Sequence, residues 1–127
     1  MMEDTILDDI RHKPENAKNP LILLTKFYDI MVYSHKAMMQ FPRAEKYQLV
    51  ASIKESEKAC MHEIIDLEKK HAKKTSLQRI DTELEYLRHL VRMACDLGYI
   101  SLKKRHTWIS QLDEAGRILG GLIKHFV

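Results

Sequence analysis

The sequence predicts an all-α protein: an antiparallel up-down four-helix bundle over residues 19–127, behind a short irregular acidic N-terminal arm over residues 1–18. Three observations carry that expectation. Four glycines and three prolines leave long stretches free of breakers, and 45% hydrophobic with 31% charged residues suits helices that have one dry and one wet face. One segment repeats apolar residues at three-four spacing along a whole helix. The breakers that do occur stand where helices begin and end. At 127 residues the chain has the size of one domain, with no internal repeat or low-complexity segment.

The arm ends in "KPENAKNP" and lacks periodicity apart from one short turn around Ile6 to Ile10. Asn19 then offers an N-cap and Pro20 a first helical residue that needs no N–H, so the first helix should run to about Gln40. Phe41 precedes a proline and is pushed out of the α region, which ends that helix. Pro42 can open a second helix extending to about Ala72, with Leu49, Ile53, Cys60, Ile64 and Leu67 at helical spacing. Thr75 or Ser76 should cap the third, whose stripe is Leu77, Ile80, Leu84, Leu87, Val91, Ala94 and Leu97. Gly98 should close it as a left-handed C-cap. Ser101 should cap a fourth helix, from about Leu102 to His125, with Ile109, Leu112, Gly116, Leu119 and Ile123 on one face. Short loops between amphipathic helices favour an up-down bundle.

Charge and motifs narrow the function. The arm holds five acids (Glu3, Asp4, Asp8, Asp9, Glu15) and three bases (Arg11, Lys13, Lys18), a balance of −2, so the rest of the chain is +5 and suits an anionic partner. Cys60 and Cys95 have no paired spacing and read as buried free thiols of a reducing compartment. The N-terminus carries no secretory signal, and the run from Pro20 to Phe41 is interrupted by Lys26, Asp29, His35 and Lys36, so a cytoplasmic protein without a membrane span is expected. Seven histidines form no HExxH or Glu-x-x-His pair, and "GRILGG" is neither GxGxxG nor a P-loop. Neither a metal, a cofactor nor a catalytic residue is expected.

Basic residues are more informative. Arg88 and Arg92, four apart, share a face beside the leucine stripe. They either pair with Glu85 and Asp96 on a solvated face or begin a phosphate-binding strip. Such a strip would add Arg117 and Lys124, then Lys103, Lys104 and Arg105, with Lys73 and Lys74 near the preceding loop. Tyr28, Tyr33, Tyr47, Tyr86, Tyr99 and Trp108 read as core or rim residues, so backbone contact is favoured over base stacking. Gly116, Gly120 and Gly121 weaken the fourth helix, each by roughly 0.5–1 kcal/mol relative to alanine. They serve either tight packing within the chain or close approach of another subunit.

Three fragments together resemble a known family: "FPRAEKYQL" at 41–49, "LRHLVRMACDLGYIS" at 87–101 and "LDEAGRILGGLIK" at 112–124. They are similar to the accessory variability proteins of diversity-generating retroelements (Avd-type), a four-helix-bundle family related to rRNA intervening-sequence proteins. The resemblance implies a non-catalytic basic ring, a homopentamer, that binds reverse transcriptase, template RNA and cDNA during mutagenic cDNA synthesis. By position it places Arg43 and Lys46 in the first motif, Arg88 and Arg92 in the second, and Arg117 and Lys124 in the third. Lys46 stands where arginine is common and Leu122 where tryptophan is common. The Asn-Ile-Ala-Glu-Gly-like segment of the rRNA branch is missing from "SIKESEKACMHEII". The alternatives are an rRNA intervening-sequence-type structural protein and a protein-only oligomeric scaffold.

Overall fold

The computed structural model describes residues 19–127; the arm at 1–18, with its expected turn, lies outside them. Four helices follow in order: α1 (Pro20–Met38), α2 (Leu49–Leu67), α3 (Lys74–Asp96) and α4 (Leu102–Phe126), with one short 3-10 turn (Arg43–Glu45) before α2. Helices α1 and α3 each pack against both α2 and α4 and stand diagonally across the bundle from each other. The four-helix bundle expected from the periodicity is therefore the observed architecture. Among the described residues no helix is long and apolar enough to cross a membrane.

The caps explain most boundaries. Asn19 Oδ1 accepts from the Leu21 amide at 2.9 Å, with Pro20 at the first helical position. Helix α3 ends in a Schellman arrangement: Tyr99 N–H donates to the Ala94 carbonyl and Gly98 N–H to that of Cys95, with Gly98 at φ +82°. Ser101 Oγ then accepts from Lys104 N–H at 3.1 Å to start α4.

Helix α2 differs from expectation at both ends. Pro42 opens only the 3-10 turn, and α2 begins seven residues later, because 41–48 are drawn across the end of the bundle. Phe41 is buried against Tyr99 and Trp108, with ring centroids 5.5 and 6.5 Å away, and Glu45 accepts from the Tyr99 hydroxyl at 2.6 Å. At the other end α2 stops at Leu67, before Ala72, where Lys73 Nζ donates to the Leu67 and Lys70 carbonyls and satisfies the helix terminus. Nor does Thr75 or Ser76 cap α3, which already starts at Lys74; buried Ser76 instead accepts from Lys70 Nζ at 3.0 Å.

The core corrects two stripes. On α3 every expected position is buried except Leu97, which is 48% exposed where the helix runs out past its partners. On α4 the buried face is Trp108, Leu112, Ala115, Leu119 and Leu122, one residue round from the expected stripe, with Ile109, Gly116 and Ile123 at its edge. Fully buried Trp108 sets that rotation by filling the end of the bundle beside Tyr33 and Phe41. Cys60 is buried, and burial with the nearby Glu83, Glu57 and Glu63 carboxylates pushes its thiol pKa far up. Cys95 is only half-buried.

Candidate nucleic-acid interface

The up-down topology distributes the basic residues over two ends and one cleft. Lys73 and Lys74 begin α3, whereas Lys103, Lys104 and Arg105 lie just past its other end, about 35 Å away at 1.5 Å per residue. Lys124 belongs to the Lys73 end: the Lys73 ammonium lies 5.1 Å above the ring of Phe126, the last residue of α4. Arg43 and Lys46 stand exposed on the loop at the other end, which the Glu45–Tyr99 bond joins to the α3–α4 connection. The expected basic residues are thus spread from one end of the bundle to the other. Lys73 is also engaged by the end of α2, which leaves Lys74 and Lys124 as the exposed cations of the expected strip there.

Between the ends, α3 and α4 form a cleft of about 460 Å³. Its walls are Glu85, Arg88, His89 and Arg92 from α3, and Leu102, Arg105, His106 and Ile109 from α4. Both sets have the same three-one-three spacing, which puts each on one helix face. The fold thereby brings together Arg88, Arg92 and Arg105 from the expected strip. Nothing in the spacing of either helix alone shows that 85–92 faces 102–109; that pairing comes from the loop length and the register of the antiparallel packing.

The arginines are not equivalent. Arg88 Nε bonds Asp113 Oδ1 at 2.8 Å and its Nη1 bonds Glu85 Oε2 at 3.0 Å. A Cβ on Gly116 would lie 2.7 Å from Arg88 Nη2, so this glycine leaves the space in which the guanidinium lies across α4. Arg92 makes only a long contact of 3.8 Å with Asp96, both being about two-thirds exposed. Arg117, exposed one turn beyond Asp113, and Arg105 have no ion pair among the described residues. His89 Nδ1 sits 3.0 Å from the Glu85 carbonyl.

The other glycines and aromatics separate as well. Among the described residues a Cβ at Gly120 would meet nothing within 4 Å, so their packing does not explain that glycine, and half-buried Gly121 lies beside it. Trp108 is core and Tyr33 and Tyr99 are rim, but Tyr28, Tyr47 and Tyr86 are exposed by 62%, 84% and 47%. The sequence reading missed that exposure because an exposed tyrosine and a rim tyrosine have the same periodic position until the neighbouring helix is known.

A model of the bAvd-like family matches residues 21–126, which takes in nearly all of the four described helices. No curated protein and no solved structure matches.

Proposed function

The chain belongs to the bAvd-like family, and from that premise we propose that it is a non-catalytic accessory protein of a retroelement, a ring of identical subunits that holds reverse transcriptase and template RNA together for mutagenic cDNA synthesis. Reverse transcriptase, RNA and cDNA are the partners of this reading, and the cytoplasm its place. The basic ends and the α3–α4 cleft supply surfaces for phosphate.

One observation supports the ring most directly. Helix α1 carries an outward apolar stripe of Tyr28, Val32 and Met39, and α3 carries another of Tyr86, Met93 and Leu97, all at least 40% exposed. Each set falls on one helix face, and the two helices are diagonal in the bundle. Two different apolar surfaces pointing away from each other suit a head-to-tail contact, which closes into rings, better than a two-fold one. Gly120, open among the described residues, leaves room for a neighbouring backbone to approach.

Native mass spectrometry tests this. Val32→Glu and Met93→Glu should each give helical monomers, while their mixture should give a dimer and nothing larger, since one intact face remains on each. A parent protein that stays monomeric, or single variants that still assemble, would refute the ring. Filter binding of RNA by the parent should weaken with salt at about 0.7 in log–log slope for each phosphate contacted. A pull-down with the reverse transcriptase of the same element tests the remaining partner.

A further inference from the structure

The α3–α4 cleft holds more than charge. Leu102, in the first turn of α4, is 74% exposed on its rim, and half-buried Ile109 lies two turns further along the same face. The guanidinium of Arg88 is tied to Asp113 through Nε and to Glu85 through Nη1, and its Nη2 end lies against α4 at Gly116. Arg92, with one long contact to Asp96, and Arg105, with no ion pair among the described residues, come from opposite walls and keep most of their donors. Two planar forks facing one space suit a single phosphate, and the apolar pair beside them suits the flat face of a base. The walls are neighbouring helices whose axes lie about 8–10 Å apart, and the 460 Å³ between them has room for one nucleotide unit, whose base must be unstacked to lie on Leu102 and Ile109.

We propose that the α3–α4 cleft binds one unpaired nucleotide of a single strand: Arg92 and Arg105 take its phosphate and Leu102 with Ile109 its base. Arg88, latched to α4 by Asp113, ties the two helices together and is not a phosphate ligand. This rests on the nucleic-acid part of the proposed function and deepens it by naming the strand and the unit recognised.

The test compares a fluorescent single-stranded oligoribonucleotide with the same sequence as a blunt duplex, and follows uridine monophosphate by amide NMR shifts. Arg92→Gln with Arg105→Gln should weaken single-strand binding about tenfold or more, the size expected for lost charge-assisted hydrogen bonds. Leu102→Ser should shrink the preference for single strand over duplex by about threefold, as the loss of part of an apolar contact predicts. Arg88→Gln should lower thermal stability yet leave affinity within about twofold, and Gly116→Ala, which displaces the guanidinium without removing any charge, should do the same to affinity. An Arg88→Gln loss as large as that of the Arg92–Arg105 pair overturns the assignment. So does equal binding of strand and duplex by the parent, or a double variant that loses assembly and not RNA. If the parent binds RNA and every cleft variant binds as well, the cleft reading fails and the proposed function stands. If the parent ignores RNA while uridine monophosphate shifts α3 and α4 amides, the cleft is a site for a free nucleotide, and both the single-strand proposal and the nucleic-acid part of the proposed function fail.

Discussion

The seam between α3 and α4 and the seam between α1 and α2 place charge on opposite sides of the solvent boundary. The first is apolar inside, with Leu84, Leu87, Leu112 and Leu119 fully buried or nearly so, and its ion pair, Arg88 with Asp113, lies at the rim. The second holds Glu57 of α2 inside, at 3% exposure, beside Ser34 of α1. Ser34 Oγ and Glu57 Oε2 reach no hydrogen-bond partner of ordinary geometry among the described residues. Burial therefore outweighs the help of Ser34 and of Lys54 and raises the carboxyl pKa to about 7. The rim pair, partly exposed on both sides, contributes little, about 0.2–1 kcal/mol by the usual range for exposed pairs. A charge's depth, rather than its number of neighbours, decides whether it titrates near neutrality.

Substitutions can break this contrast from either side. The largest effect should come from the apolar interior of the first seam. Leu87→Ala, next in sequence to Arg88, should cost about 2–5 kcal/mol in urea unfolding, whereas Arg88→Ala should cost a fraction of that. A comparable loss for both would mean that the rim is far drier than its exposure indicates.

The second seam should show itself through pH. The unfolded chain releases the Glu57 proton near 4.5 and the folded chain holds it to about 7, so this group's contribution to stability falls as pH rises through that window and levels off above it. The difference is on the order of 3 kcal/mol. Glu57→Gln removes that dependence, so the gap between variant and parent in unfolding free energy should widen from pH 4.5 to 7. Parallel pH profiles for the two proteins would contradict the buried, weakly supported carboxyl.

The smallest effect sharpens the rim. Gly116→Ala gains helix propensity of about 1 kcal/mol and forces the flexible end of Arg88 off its seat, losing a contact of similar or smaller size. Unfolding of the variant should stay within about 1 kcal/mol of the parent. A loss of several kcal/mol would show backbone packing at this glycine that the Arg88 contact does not account for.

Legibility in the sequence followed how local each cause is. Asn19–Pro20, Gly98 and Ser101 act within a few residues, and all three caps stand where their side chains or backbone freedom demand. Helix α2 was misjudged at both ends because Phe41, Glu45 and Lys73 are bound by groups that only the folded chain brings near. Trp108 turned the α4 stripe by one residue for the same reason. Of the expected basic strip, the pairs Arg88–Glu85 and Arg92–Asp96 were readable at helical spacing, but Asp113 and the division into two ends and a cleft were not.

By itself the sequence determined the helices, their number and their order, because periodicity and caps are properties of a segment and its immediate neighbours. The family likewise was legible in it, through three short fragments that a match over residues 21–126 encompasses. Only the tertiary structure decided which arginine is latched and which is free, why Gly116 lacks a side chain, and that one glutamate is sealed between α1 and α2. Those depend on which helix faces which and at what register, a relation between residues that are far apart along the chain and meet only when the core closes.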